Sequence, residues 1–302
     1  MGNNMNINGP IFATVTPFNQ DDNFDEMAFI NYLAFLEKAG VKSILVNGTT
    51  GEFPSLTFEE RVETCEIAKK NFNGNVISDI SSCCYREANE LARSSVDADA
   101  LLLLPPYYYD VRSEGGLVGF FKNALKGIQT PTYIYNFPFY TKVSLSKQDV
   151  VEIHKACANI VGLKDSGKDL GLSKSFSENI DNFDVFVAGD MVALNVLEIG
   201  LKGSISGAGN PFPEFLVALW NEWRKGNYRF AVEIQNKFNV WNTFRRRLRG
   251  YEISIVKEVL SKRIDGFPTA TRCPIDRIDE RDKQLIEENY PHIYALATQL
   301  YS

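Results

Sequence analysis

Eight short aliphatic or β-branched runs, each followed by a longer amphipathic run, predict an α/β fold: a (β/α)8 barrel with a C-terminal helical extension. Eight βα units are the number that closes such a barrel. No G-x-G-x-x-G follows the first run, the fingerprint that a doubly wound open sheet would carry. That open sheet is the competing architecture, and it normally has fewer strands. Beyond about residue 226 the alternation stops and helical patterns take over.

The strands fall at 11–16, 43–48, 76–81, 100–105, 132–136, 160–165, 185–189 and 203–207. Each is rich in residues that favour a pleated, half-buried surface, and each is too short to be a helix. Helical patterns lie between them at about 25–39, 57–72, 86–95, 113–127, 146–157, 171–180, 191–200 and 213–225. Thr57-Phe58-Glu59-Glu60 supplies a capping box for the second helix. Ser146-Lys147-Gln148-Asp149 opens the fifth with a capping serine and a first-turn acid. The extension reads as helices at about 227–249, 251–263 and 279–300, with a loop at 265–274 before the last. Residues 1–225 thus form the barrel and 226–302 an appendage packed on it, with no flexible linker between them.

Composition narrows the function classes. A chain of 302 residues that is 44% hydrophobic and 23% charged can bury a large core without metal or disulfide staples. Its net charge of -6 argues against a dedicated nucleic-acid surface, with the run 245–249 (Arg-Arg-Arg-Leu-Arg) as a local exception. Such a run on a helix is ordinarily a solvated or interface face. The five cysteines, Cys65, Cys83, Cys84, Cys157 and Cys273, show no zinc spacing and read as free thiols of a reducing compartment. Residues 1–8 lack an apolar signal core, and the apolar stretch 101–106 is too short to span a bilayer. A cytoplasmic protein is expected, with neither a membrane nor a nucleic acid as partner. Only His154 and His292 are available, so Ser-His-Asp catalysis and histidine-rich metal sites are disfavoured. A proton shuttle would use tyrosine, lysine or a carboxylate.

Catalytic groups of a barrel come from the C-terminal ends of its strands, and that rule selects candidates. Strand six ends in Gly162-Leu163-Lys164-Asp165-Ser166. A lysine at the end of a buried strand either pairs with an acid, such as Asp165 or Glu52, or holds an amine able to attack a carbonyl carbon and form an imine. Strand two ends in Asn47-Gly48-Thr49-Thr50-Gly51-Glu52. Its hydroxyls and N–H groups can hold a carboxylate, or the sequence is simply a tight turn. Strand four ends in Tyr107-Tyr108-Tyr109, packing aromatics or members of a proton relay. In strand five Tyr133 and Tyr135 share a face, as core tyrosines or as a rim phenol that exchanges protons. Asp190, after strand seven, is either a helix cap or an acceptor for polyol hydroxyls. Gly207-Ala208-Gly209-Asn210, after strand eight, leave room for a ligand or make a turn.

Taken together, these motifs resemble the family of pyruvate-dependent class I aldolases and lyases that includes dihydrodipicolinate synthase and N-acetylneuraminate lyase. The resemblance rests on Gly48-Thr49-Thr50-Gly51-Glu52, Tyr135-Asn136-Phe137-Pro138 and Gly162-Leu163-Lys164-Asp165-Ser166, in that order and spacing, and extends from Pro10 through the strand-eight glycines. It implies that Lys164 is the Schiff-base lysine and Tyr135 the proton-transfer tyrosine. Thr49 and Thr50 would hold the pyruvate carboxylate, and Thr49 and Tyr108 would complete a relay with Tyr135, Tyr108 reaching into a neighbouring subunit of a homotetramer. No metal or organic cofactor is implied. Dihydrodipicolinate synthases usually carry an arginine two residues after the proline of Tyr-Asn-x-Pro, where this chain has Tyr140; neuraminate lyases tend to carry a serine at Gly207. The likeness is greatest to archaeal-type 2-keto-3-deoxygluconate aldolases, which cleave that sugar acid to pyruvate and glyceraldehyde. On this likeness Ser166 and Asp190 contact sugar hydroxyls, and Gly189, Ile205 and Gly207 complete the substrate contacts. Arg112 and the 245–249 run are the candidates for a 6-phosphate. The same imine serves a dihydrodipicolinate synthase or a sugar-acid dehydratase, and a non-enzymatic sugar-acid binding protein is the remaining alternative.

Overall fold

A computed structural model describes residues 7–300 apart from 110, 112 and 179. Arg112 therefore lies outside the described residues. Eight parallel strands close in chain order: β1 (Ile11–Ala13), β2 (Ser43–Val46), β3 (Asn75–Asp79), β4 (Ala100–Leu103), β5 (Thr132–Asn136), β6 (Ile160–Asp165), β7 (Asp184–Ala188) and β8 (Gly203–Ser206), with β8 pairing back onto β1. With helices between the strands this is a (β/α)8 TIM barrel.

Alternation along each strand sorts the side chains into two cores. Ile11, Ala13, Leu45, Ile77, Leu102, Tyr133, Tyr135 and Phe186 fill the barrel. Phe12, Ile44, Val76, Leu101, Ile134 and Leu163 point outward onto the helices. The tyrosine pair of β5 is split by depth. Tyr133 packs edge-on against Phe186 at 5.5 Å, and burial pushes its phenol well above the usual tyrosine range. A side chain at Gly162 would meet the Tyr133 ring at 2.6 Å, so the glycine makes room for that layer. Tyr135 lies one layer higher, toward the C-terminal ends of the strands.

Both capping motifs form. Thr57 and Glu60 cap the helix Phe58–Asn71, and Ser146 and Asp149 the helix Lys147–Ala156. Several strands are shorter than the runs that announced them: Thr14 and Ile80 make a last inter-strand hydrogen bond, to Leu45 O and Leu102 O, and residues 15–16, 47–48, 81 and 104–105 build the loops above. Two short elements had no periodic signal: the 3-10 turn Phe53–Ser55 and the helix Pro138–Thr141, each with proline in its first turn. The helix expected at 191–200 is divided into a 3-10 turn, Asp190–Val192, and the helix Ala193–Glu198.

The helices Tyr228–Arg245, Glu252–Ser261 and Glu280–Thr298 follow the barrel. Trp241 donates its indole N–H to Ala208 O at 2.8 Å, beside the end of β8. Arg263 pairs with Glu214 and donates to Pro211 O at 2.6 Å. Among the described residues no helix is long and apolar enough to cross a membrane, and no group of His, Cys, Asp and Glu has the makings of a metal site. Cys65 and Cys157 are buried free thiols; Cys83, Cys84 and Cys273 are exposed ones.

Candidate active site

Register brings two of the candidate residues together. Tyr135 on β5 lies opposite Lys164 on β6, and the Lys164 amine sits 3.9 Å from the centroid of the Tyr135 ring. Lys164 is 4% exposed. Neither acid expected as a structural partner pairs with it. Asp165 accepts from Asn136 Nδ2 (2.8 Å), the Gly167 N–H (2.8 Å) and Ser173 Oγ (2.5 Å), which fixes the loop after β6. Glu52 is held by Lys257 at 2.5 Å and by the Arg272 N–H at 3.0 Å. Among the described residues no carboxylate forms an ion pair with Lys164. The amine thus lies against a ring face and lines a cavity, with no ion-paired carboxylate.

Tyr135 is fixed on its other side by stacking on Phe137, centroids 5.5 Å apart. Its hydroxyl lies 3.4 Å from Thr49 Oγ1. The turn carrying Thr49 is tied down by Thr16 Oγ1, which donates to Gly51 O at 2.7 Å, and by the Gly51 N–H, which donates to Gly48 O at 2.9 Å. Among the described residues the Thr49 and Thr50 amides donate to no carbonyl. Two adjacent open N–H groups beside two hydroxyls make an anion-receiving concavity.

Lys164, Tyr135, Thr49, Thr50, Ser166, Gly189, Asp190, Ile205 and Gly207 all line one cavity of about 800 Å³ at the C-terminal end of the barrel. Tyr108 does not. It is 81% exposed, with its ring edge-on to Tyr109 at 5.2 Å. Asp190 is not a helix cap, and both its carboxylate oxygens are engaged: Ser206 Oγ donates to one and Arg245 pairs with the other at 3.1 Å. Arg245 also pairs with Glu252, so this member of the arginine run is buried and committed, whereas Arg246 is exposed and faces the cavity. Phe137, Tyr140 and Tyr251 give the far wall aromatic character; Tyr140 sits edge-on to Phe137 at 4.8 Å. Lys168 and Tyr251 carry no motif and were invisible to sequence reasoning. Nor did any motif single out the buried Lys257, which lies among Ile253, Ile255, Val256, Val259 and Leu260 and next to Glu258 in its helix.

Comparison with known proteins agrees with this geometry. The chain matches the Dihydrodipicolinate synthetase family over residues 6–291. It is 32% identical over 300 residues to the 4-hydroxy-tetrahydrodipicolinate synthase of Methanosphaera stadtmanae, covering 94% of this chain and 99% of that one. Among solved structures it resembles the dihydrodipicolinate synthase of Aquifex aeolicus (28% identity, TM-score 0.86, 96% of this chain and 99% of that chain). It also resembles a variant of the Sulfolobus solfataricus 2-keto-3-deoxygluconate aldolase (25% identity, TM-score 0.86, 96% of this chain and 98% of that chain). Members of the family are lyases that act on pyruvate and aldehydes through a lysine Schiff base and use no external cofactor. The chain belongs to the Dihydrodipicolinate synthetase family.

Proposed function

We propose that the chain is a class I aldolase that reversibly cleaves 2-keto-3-deoxygluconate to pyruvate and glyceraldehyde, with Lys164 as the imine-forming lysine. The observation that carries this reading is the buried Lys164 amine, without a carboxylate partner, over Tyr135. The amine adds to the C2 ketone of the sugar acid to give a carbinolamine. Tyr135 delivers the proton that lets water leave, and the protonated imine draws electrons from C3. As Tyr135 takes the proton of the C4 hydroxyl, the C3–C4 bond breaks, glyceraldehyde departs, and an enamine of pyruvate remains. Protonation at C3 and hydrolysis then free pyruvate and the amine. Thr49, 3.4 Å from the Tyr135 hydroxyl, is the next member of the relay, and Tyr108 from a second subunit of a tetramer would be its outer end. The Thr49 and Thr50 amides and hydroxyls receive the pyruvate carboxylate, Ser166 and Asp190 face the sugar hydroxyls, and Gly189, Ile205 and Gly207 give the site its shape.

Two further features support a neutral polyol aldehyde as partner. Tyr140 occupies the place of the arginine that grips a second carboxylate in dihydrodipicolinate synthases. Arg245 is committed to Asp190 and Glu252, so a terminal phosphate would meet only Arg246 and Lys168 among the other cavity-lining cations. A second reading, 4-hydroxy-tetrahydrodipicolinate synthase, is favoured by the name of the relative at 32% identity. One experiment separates them. The enzyme is given pyruvate with either glyceraldehyde or aspartate semialdehyde, and a panel of 2-keto-3-deoxy acids, with and without a 6-phosphate, is scored by pyruvate release. Release from the free sugar acids and faster use of glyceraldehyde are expected; faster use of the semialdehyde rejects the aldolase reading.

Gly207 supplies a second test. A Cβ there would fall on Thr50 Oγ1 and lie 3.2 Å from its methyl carbon. Overpacking costs about 1–3 kcal/mol, and charged to the pyruvate subsite that is roughly 5- to 150-fold in KM. Gly207→Ala should therefore raise the pyruvate KM with little change in melting temperature, as measured by steady-state kinetics and a thermal melt. An unchanged KM would remove Thr50 from the carboxylate site.

A further inference from the structure

The Thr49–Thr50 turn is bounded by two non-glycine residues in the left-handed region, Asn47 at φ 58° and Glu52 at φ 60°. L side chains resist that conformation, and it persists where surrounding structure over-determines it. At Asn47 the holding contact is local: Nδ2 donates to Arg61 O at 2.7 Å. At Glu52 it comes from the far end of the chain. Lys257 Nζ pairs with Glu52 Oε1 at 2.5 Å, and both side chains are 0% exposed. The same amine donates to Ala270 O at 2.7 Å and lies 4.4 Å from the centroid of Phe18. Glu52 Oε2 accepts the Arg272 N–H, while the Arg272 guanidinium grips Glu60 at 2.6 Å and Ser55 O at 2.9 Å. The helix Glu252–Ser261 and the segment 270–272 therefore brace the turn directly.

We propose that Lys257 is a positioning residue: its buried ion pair with Glu52 locks the left-handed end of the Thr49–Thr50 turn, and so sets where pyruvate's carboxylate is received and how closely Thr49 approaches Tyr135. This rests on the reading of Thr49 and Thr50 as pyruvate contacts. Lys257 touches neither substrate nor the reacting atoms and acts through Glu52 alone. A charge pair without an opening to solvent cannot be replaced by water, so loosening it moves the turn.

The test uses the full-length enzyme and the pyruvate concentration that gives half-maximal borohydride trapping. Lys257→Met alone strands a carboxylate in the core, so the informative variant is Glu52→Gln with Lys257→Met, which removes both charges at nearly constant volume. A second variant, Glu52→Asp, keeps the charge and draws the turn toward Lys257 by one methylene. Each should still trap pyruvate on Lys164 at saturation, but at a half-maximal concentration raised about tenfold or more. A purely structural pair would move the melting temperature and leave that concentration where it is. Parent-like concentrations in Glu52→Asp, and in whatever fraction of the double variant folds, overturn the inference alone. Absence of trapping in the parent chain overturns the reading of Lys164, and this inference with it.

Discussion

Lys164→Met abolishes pyruvate capture while leaving a barrel as stable as the parent. Lys164 is 4% exposed, its amine lies against the Tyr135 ring, and among the described residues no carboxylate forms an ion pair with it. A buried amine without an ion-paired carboxylate contributes little to the fold, and a thioether of similar length fills its place. The chemical loss is large because the covalent route disappears as a whole: turnover falls by about 10⁴-fold or more, the scale on which deletion of a catalytic nucleophile acts. Mass spectrometry after borohydride reduction in pyruvate reads the adduct, pyruvate release reads turnover, and a thermal melt reads stability. Loss of adduct together with an unchanged melting temperature is the expected pair of results. An adduct that persists in the variant assigns the imine to a different lysine.

Trp241→Ala destabilises the barrel and the C-terminal helices together. The indole is 0% exposed, packs against Phe212 at 5.2 Å and Phe244 at 6.3 Å, and donates to Ala208 O. Deleting it leaves a cavity and an unpaired carbonyl, a loss of about 3–5 kcal/mol. Ala208 follows Gly207 directly, so the loop behind Thr50 loosens as well. Urea unfolding followed by far-UV circular dichroism should show one transition at a markedly lower midpoint, and Trp241→Phe a smaller shift. Two separate transitions, with the barrel's unmoved, would mean that residues 226–302 are an independent domain rather than an extension of it.

Local chemistry explains what was legible in the chain. Each strand is a dense apolar run between polar breaks, and the helices at 57 and 146 announce themselves by side chains that cap their own backbone. The candidate site was legible by position: Lys164, Tyr135 and Thr49 stand at or just past the ends of strands whose order follows the sequence, and parallel closure makes β5 and β6 neighbours. Pairing across distance was not legible. Lys257 and Glu52 are 205 positions apart, and Arg245 and Asp190 are 55 apart. Composition gives no hint that the first of the clustered arginines is buried in ion pairs while the next is exposed, both lining the cavity. The short elements Phe53–Ser55 and Pro138–Thr141 escaped because three or four residues carry no period. Asp190 shows the converse: the residue was correctly placed at the cavity, but its carboxylate is already engaged by Ser206 and Arg245.

The brace from Lys257 to Glu52 also orders events in time. On the ribosome, strand two is made long before the helix that carries Lys257, so a nascent chain that has emerged only through strand eight holds every residue proposed for the imine and the relay yet lacks the clasp on its threonine turn. The threonine turn is therefore clasped only once the helix Glu252–Ser261 has been made and has docked.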